Sequence, residues 1–260
     1  MLLAAFVFAF APAGKVAADQ GGRIVAVERM TERGEPRWAL AVPADVVSAI
    51  EGAAIATGAD FEFLLKTAAL ESSFDPDLTV KTSSAVGLYQ FIERTWLLMV
   101  HAYGAEAGLD TLATAVVFTG KGECLVEDVL AKEQILALRN DVELAAYMAA
   151  VLARQNANAM AKTLGRAPNS GELYIGHVMG ANGGAQLIKL AESKPAVRAD
   201  KEFRRAARAN RTIFFDGKKP RSHRDVRDLI AAKYALLEVR RALPAAQVAD
   251  LTAPIRLASD

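Results

Sequence analysis

The sequence predicts a mainly α-helical fold, and three observations carry that prediction. Alanine is one residue in five of the 260, and hydrophobic residues make up 52%, a composition that suits close-packed helices. Several windows space apolar residues three and four apart behind good helix-capping residues. No window alternates over enough residues to argue for a substantial sheet. A chain of this length holds one sizeable domain with a proper core and short extensions.

Met1 to Ala13 is almost wholly apolar and small residues follow it. Val16-Ala17-Ala18 before Asp19 fits the small-residue rule for signal-peptide cleavage, with Ala11-Pro12-Ala13 a second candidate. No Lys or Arg precedes Lys15, so the basic start of a signal is missing. Residues 1–18 are therefore read as a signal-like segment for export, with an uncleaved N-terminal anchor as the rival. After it, no stretch reaches the apolar length of a membrane span. Residues 19–42 mix Gly, charge and Pro without periodicity and read as a linker.

Helical signals accumulate from Val42. Pro43 suits a first helical position, and Val46, Val47, Ile50, Ala53 and Ala54 form a stripe. Asp60 is a good N-cap for a helix beginning at Phe61. Phe91 to Tyr103 carries Trp96, Leu97 and Val100 on one face. Gly120 and Gly122 suggest a loop, and Val126 to Leu138 a helix. Asn140-Asp141-Val142-Glu143 resembles a capping box for a long helix through Ala161, and Asn169 with Glu172 offers the same device for a helix to Met179. Ser222 opens an amphipathic helix through Val226, Leu229, Ile230 and Leu237.

Glu71 is the residue with chemical promise. Phe61, Leu64, Leu65 and Ala68 share one face of their helix, and a residue seven after Leu64 returns to it. An acid on a core-facing stripe is either paired or held partly protonated by desolvation. A proton-bearing carboxyl near neutral pH is what protonating a glycosidic oxygen requires. The chain continues as Ser72-Ser73-Phe74-Asp75-Pro76, then Ser83-Ser84-Ala85-Val86-Gly87-Leu88-Tyr89-Gln90-Phe91.

At these residues the chain resembles the SLT-type lytic transglycosylases, a family with a goose-lysozyme-like fold. The family pattern is Glu-Ser, an aromatic two further on, Asn/Asp-Pro, then Ser-x-Ala-x-Gly-Leu-Met-Gln. Glu71-Ser72, Phe74, Asp75-Pro76, Ser83, Ala85, Gly87-Leu88 and Gln90 fit it; Tyr89 stands where Met is usual and Asp75 where Asn is commoner. The resemblance covers roughly residues 45–195, giving a transglycosylase domain over 43–195 and a basic helical C-terminal extension over 196–260. It implies a lysozyme-like helical domain with a substrate cleft, acting on peptidoglycan glycan strands in the periplasm. It further implies a monomer without a cofactor, with cell-envelope machinery as a possible associate.

By the same resemblance, one Glu serves as acid and then as base, so no second carboxylate is needed. Glu71 would protonate the oxygen between N-acetylmuramic acid and N-acetylglucosamine, then take the proton of the C6 hydroxyl as a 1,6-anhydro ring closes. Ser72, Ser83 and Gln90 would serve the substrate, Ser72 from beside the acid. The family's third motif, Ala-Tyr-Asn-x-Gly, is here Gly176-His177-Val178-Met179-Gly180-Ala181-Asn182, with Val178 where the Glu-supporting Tyr belongs. Tyr174, one turn earlier, is the first substitute for that hydroxyl and His177 the second. Gly87 either admits close approach of the saccharide or permits a positive φ. Tyr147 reads as packing.

Two other readings stay open at this point: a hydrolase of lysozyme type, and a non-catalytic wall-binding module on the same fold. The remaining features narrow the field. Residues 198–241 hold fourteen Lys/Arg against six Asp/Glu, and residues 1–197 sixteen against twenty-two, so positive charge concentrates late in the chain. That surface suits an anionic partner or is simply a solvated helix face. It lacks the interleaved aromatics of a nucleic-acid site, and no nucleic acid is expected. The lone Cys124 excludes an intramolecular disulfide and has no nearby His to activate it. His101 and His223 show no metal-ligand spacing, so no metal is expected.

Overall fold

The computed structural model of the protein describes residues 24–34, 36–119 and 123–243. The signal-like segment and its cleavage sites lie outside the described residues. The chain is mostly helical, with a few short strands.

It opens with β1 (Ile24–Met30) and β2 (Pro36–Ala41), which corrects the linker expected there. β1 is the middle of a three-stranded antiparallel sheet, between β2 and β7 (Leu237–Leu243). The reason is non-local. Val27 is fully buried, but the strand gains its second edge only from a segment some two hundred residues later. Glu28 is buried in this sheet and accepts a hydrogen bond from Arg240 Nε at 3.0 Å.

α1 (Ala44–Thr57) follows, with Pro43 one residue ahead of the first helical position expected for it. α2 (Phe61–Ser72) begins as the sequence indicated, Asp60 accepting from the Phe63 amide at 2.6 Å. A long loop leads to α3 (Glu93–Tyr103) and α4 (Asp110–Ala115). The small hairpin of β3 (Val117–Phe118) and β4 (Cys124–Leu125) comes next, then α5 (Val129–Ala137) and a 3-10 turn, Leu138–Asn140.

α6 (Val142–Leu164) is the axial helix, capped by Asp141, which accepts from the Leu144 amide at 2.8 Å. It packs on α1, on α7 (Ser170–Met179) and on α8 (Ala181–Ser193). Ala145, Ala146, Met148 and Ala150 are fully buried along it, so alanine's small volume lets the neighbouring helices come close. The approach of α7 to α8 is closer still: a Cβ on Gly184 would lie 2.8 Å from the Gly176 Cα. α7 carries the complete capping box of Asn169 and Glu172.

The remainder comprises α9 (Ala199–Glu202), α10 (Arg204–Ala209), α11 (Arg211–Phe214), the hairpin of β5 (Phe215–Asp216) and β6 (Lys219–Pro220), and α12 (His223–Ala235). This region is not an extension. Phe203, Phe214, Val226, Ile230 and Tyr234 belong to the same hydrophobic core as α1 and α2, and α12 packs on α7 and α8. The boundary expected at residue 195 therefore divides no packing unit. Basic composition concealed it, because the arginines face outward while Ala, Phe and Ile turn inward. No helix among the described residues is long and apolar enough to cross a membrane.

Candidate active site

Glu71 occupies the last turn of α2, and its side chain is 3% exposed. Its Oε1 lies 3.0 Å from His177 Nε2 on α7. One proton bridges the pair, carried by imidazole or by carboxyl, so the buried acid is paired rather than isolated. Of the two groups proposed to support the acid, the imidazole makes the bond. The Tyr174 hydroxyl makes none: it is buried and has no hydrogen-bond partner among the described residues.

Tyr174 is instead the centre of a ring stack. Its ring lies 5.7 Å from that of His177, nearly parallel, and 5.6 Å from Tyr234 of α12. Phe63 of α2 backs Tyr234 at 5.8 Å, and Lys66 Nζ sits 5.0 Å over the Tyr234 ring. Burial first, and the nearby Glu71 charge second, push the Tyr174 phenol well above its ordinary range. Burial likewise lowers the ammonium of Lys233 on α12, as does the Arg29 charge on β1, while Glu71 opposes both. Lys233 of α12, outside the sequence motif, thus lies within electrostatic reach of the acid.

The loop between α2 and α3 explains the motif residues. Ser73 and Phe74 leave α2 with φ of 53° and 68°, and Gln90 has φ of 48°. Ser72 Oγ donates to the Leu88 carbonyl at 2.8 Å, tying the acid's helix to the returning loop. Ser83 Oγ accepts from the Ala85 amide at 3.2 Å, a turn bond of its own segment. Gln90 Nε2 donates to the carbonyls of Leu78 and Gly87 at 2.9 and 3.0 Å, and its Oε1 is buried without a partner among the described residues. Ser72, Ser83 and Gln90 thus each serve the loop itself. Only Glu71, His177 and Tyr174 come together around the acid.

Gly87 answers the choice left open for it. Its φ is +82°, and a Cβ there would lie 2.2 Å from the Arg139 carbonyl oxygen, so the close approach is to backbone. Arg139 and Asn140 are the residues that sequence reasoning missed. Arg139 Nη1 donates to the Ser84 carbonyl at 2.6 Å and to Phe91 at 3.3 Å, and Nε to Leu136 at 2.8 Å. Asn140 Nδ2 donates to the Pro76 carbonyl at 3.1 Å and to Asp77 Oδ1 at 3.0 Å. Asp75 Oδ1 accepts from the Asp77 amide at 2.9 Å. No local pattern marks Arg139, because the Ser84 and Phe91 carbonyls that it binds lie some fifty residues earlier in the chain.

Beside the pair runs a narrow opening lined by Tyr89, Leu152, Ala153, Asn156 and His177, with a cavity of about 10 Å³, room for about one water. A larger opening of about 480 Å³ lies further along α6, bounded by Ala159, Met179, Asn182, Phe203, Arg204 and Arg205. Among the described residues no group of His, Cys, Asp or Glu is arranged to hold a metal. No protein-family model matches the chain.

Proposed function

We propose that the protein is a lytic transglycosylase of peptidoglycan with a lysozyme-like helical fold, in which Glu71 is the single general acid and base. The observation that carries this reading is the setting of Glu71. It is a buried carboxyl on the core face of α2, steadied by His177, inside the sequence pattern that resembles the family. The neighbouring acids support a one-carboxylate mechanism. Asp75 is engaged as the acceptor of a turn amide and Asp77 as the acceptor of Asn140. An ordinary glycosidase needs a second free carboxylate across the cleft.

The steps follow from the pair. Oε1 is held by His177, so Oε2 is the oxygen left to meet substrate. Its proton passes to the bridging oxygen, the glycosidic bond breaks, and the substrate's own acetamido group stabilises the cation at C1. The resulting carboxylate accepts the imidazole hydrogen bond, which strengthens as charge develops. Glu71 then removes the C6 hydroxyl proton, O6 bonds to C1, and the 1,6-anhydro product leaves with the acid reset. The signal-like start supports export to the periplasm.

Purified sacculi treated with the protein should release 1,6-anhydromuropeptides by mass spectrometry. Glu71→Gln should cut release by at least 10²–10⁴-fold, the usual worth of positioned acid–base catalysis. Reducing-end products, heavier by one water, would assign a hydrolase instead. Full turnover by Glu71→Gln would remove the assignment.

A further inference from the structure

His177 carries two ring nitrogens, and the acid engages one of them. Nε2 lies 3.0 Å from Glu71 Oε1, while Nδ1 has no hydrogen-bond partner among the described residues. Tyr174 stacks on the imidazole at 5.7 Å and 11°, which resists a flip of the ring. The same imidazole lines the opening of about 10 Å³, together with Tyr89 and Asn156. The remaining wall is apolar except for Thr67, whose hydroxyl already donates to the Phe63 carbonyl at 2.7 Å.

Tyr89 is 1% exposed, and its hydroxyl is buried without a partner among the described residues. Burial pushes the phenol far above its ordinary range, so the O–H stays in place as a donor. The residue stands where the loop is firmly tied. Leu88 before it accepts from Ser72 Oγ at 2.8 Å, and Gln90 after it donates to two carbonyls. A site of this volume takes about one water, and a buried water makes about three hydrogen bonds. The Tyr89 hydroxyl, the Asn156 amide and His177 Nδ1 would be three such partners.

We propose that Tyr89 is a positioning residue for Glu71 that acts through His177: by way of one water shared with Asn156, its hydroxyl fixes the imidazole in the tautomer protonated at Nε2. The Tyr89 O–H donates to the water oxygen, and the water donates one hydrogen to Nδ1 and the other to the Asn156 carbonyl oxygen. A neutral imidazole has one N–H, and the bond made by one nitrogen decides which of the two carries it. With Nδ1 accepting, Nε2–H donates to Glu71 Oε1, and the carboxyl's own proton sits on Oε2. In the other tautomer Nδ1 holds the hydrogen, Nε2 becomes the acceptor, and Glu71 turns its O–H inward at Oε1. Ring and carboxyl carry one hydrogen each in both arrangements; only its place differs. The consequence for turnover rests on the transglycosylase reading, in which Oε2 meets the glycosidic oxygen. The tautomer itself does not.

Nitrogen NMR of the full chain, labelled at histidine, reads the tautomer, and loss of a signal in His177→Gln assigns it. In the wild type Nδ1 should be the unprotonated nitrogen. Tyr89→Phe keeps the ring but frees the water oxygen to accept from Nδ1–H, so the tautomer ratio should shift toward Nδ1–H by about 3–10-fold, the worth of one net hydrogen bond. For muropeptide release, kcat should fall with the share of the Nε2–H form, at unchanged KM. Thr67→Val, which removes a hydroxyl from the same wall, should leave tautomer and turnover as they are. Nδ1–H in the wild type, whether in a neutral or a doubly protonated ring, overturns the inference whatever the variants do. An unchanged tautomer in Tyr89→Phe with cleavage intact overturns the link from Tyr89 and leaves the transglycosylase reading standing. A shifted tautomer at unchanged kcat overturns the positioning role. The expected shift in a protein whose wild type cleaves no strand overturns the transglycosylase reading and leaves the link standing. Circular dichroism establishes that each variant is folded.

Discussion

Replacing His177 by Ala isolates the hydrogen bond that the structure gives the Glu71 carboxyl. The two side chains are 3% and 9% exposed and meet at 3.0 Å. Removing the imidazole leaves a buried acid with two energetic options. If Glu71 stayed ionised, the uncompensated charge would cost about 3–5 kcal/mol. If it takes up a proton, the cost falls to that of an unsatisfied buried group, about 1–3 kcal/mol. A carboxyl is free to take the cheaper route, so the loss in thermal midpoint should be on the order of 5 °C for a domain of this size. Turnover should fall about 10–100-fold, as when a group supporting an active-site ligand is removed. Two companions separate support from packing. His177→Gln keeps an N–H donor for Oε1 and should recover most of the stability and much of the rate. Tyr174→Phe keeps the ring stack and deletes a buried hydroxyl that has no partner among the described residues, so stability should hold or rise and turnover should stay near normal. Differential scanning calorimetry and a muropeptide-release assay read both quantities. Wild-type rate and midpoint in His177→Ala, or a large rate loss in Tyr174→Phe, would refute the assignment of roles.

Three further perturbations test how the site is held. Gly87→Ala should lose at least about 3 kcal/mol in urea unfolding, since its Cβ meets the Arg139 carbonyl at 2.2 Å, whereas Gly58→Ala, with φ of +71° and open space, should cost only the roughly 1–2 kcal/mol of left-handed backbone; equal losses would show that the close approach carries nothing. Glu172→Gln should matter less as pH falls: the Arg166 guanidinium, at 2.7 Å to both oxygens, holds the Glu172 carboxyl below its ordinary range. The unfolded state therefore binds the proton first, so this stabilisation is complete above the ordinary carboxylate range and is lost as pH drops through the folded value. Unfolding midpoints of the wild type and variant should converge on acidification, and a gap that widens would reverse the argument. A chain ending at residue 195 should show no cooperative thermal transition, because Phe203, Phe214, Ile230 and Tyr234 leave the core with the removed segment; a sharp transition would restore the boundary at that point.

Local signals were the legible ones. Asp60, Asn169 and Ser222 cap helices where the sequence indicated, and Glu71 turns inward because apolar residues set its face. What stayed hidden depends on partners distant in the chain. β1 reads as a mixed, charged segment until β7 pairs with it, and Glu28 looks exposed until Arg240 reaches it. Arg139 looks like a surface residue, because the carbonyls that it binds lie some fifty residues earlier. The preference for Tyr174 over His177 followed from helix spacing, which puts residues four apart on one face. It could not tell that the imidazole projects to the acid while the phenol stacks behind it.

The loop around Glu71 shows what so many motif residues do within the fold. All the non-glycine residues with left-handed backbone among the described residues, Ser73, Phe74 and Gln90, sit in this loop. Such backbone costs about 1–3 kcal/mol at each position and persists only where the surroundings over-determine it. Here they do. Phe74 is buried, the Ser73 amide closes α2 on Ala69, and Gln90 is fastened at two carbonyls. Ser72 and Arg139 tie the loop to its neighbours from either side. Loosening any of these would let the last turn of α2 relax, and with it the direction of the Glu71 carboxyl. An acid with the role proposed for Glu71, giving a proton on one side of a reaction and taking one on the other, tolerates little such drift. The polar residues of the motif are then accounted for as ties that hold the loop and, through it, the last turn of α2 that carries Glu71.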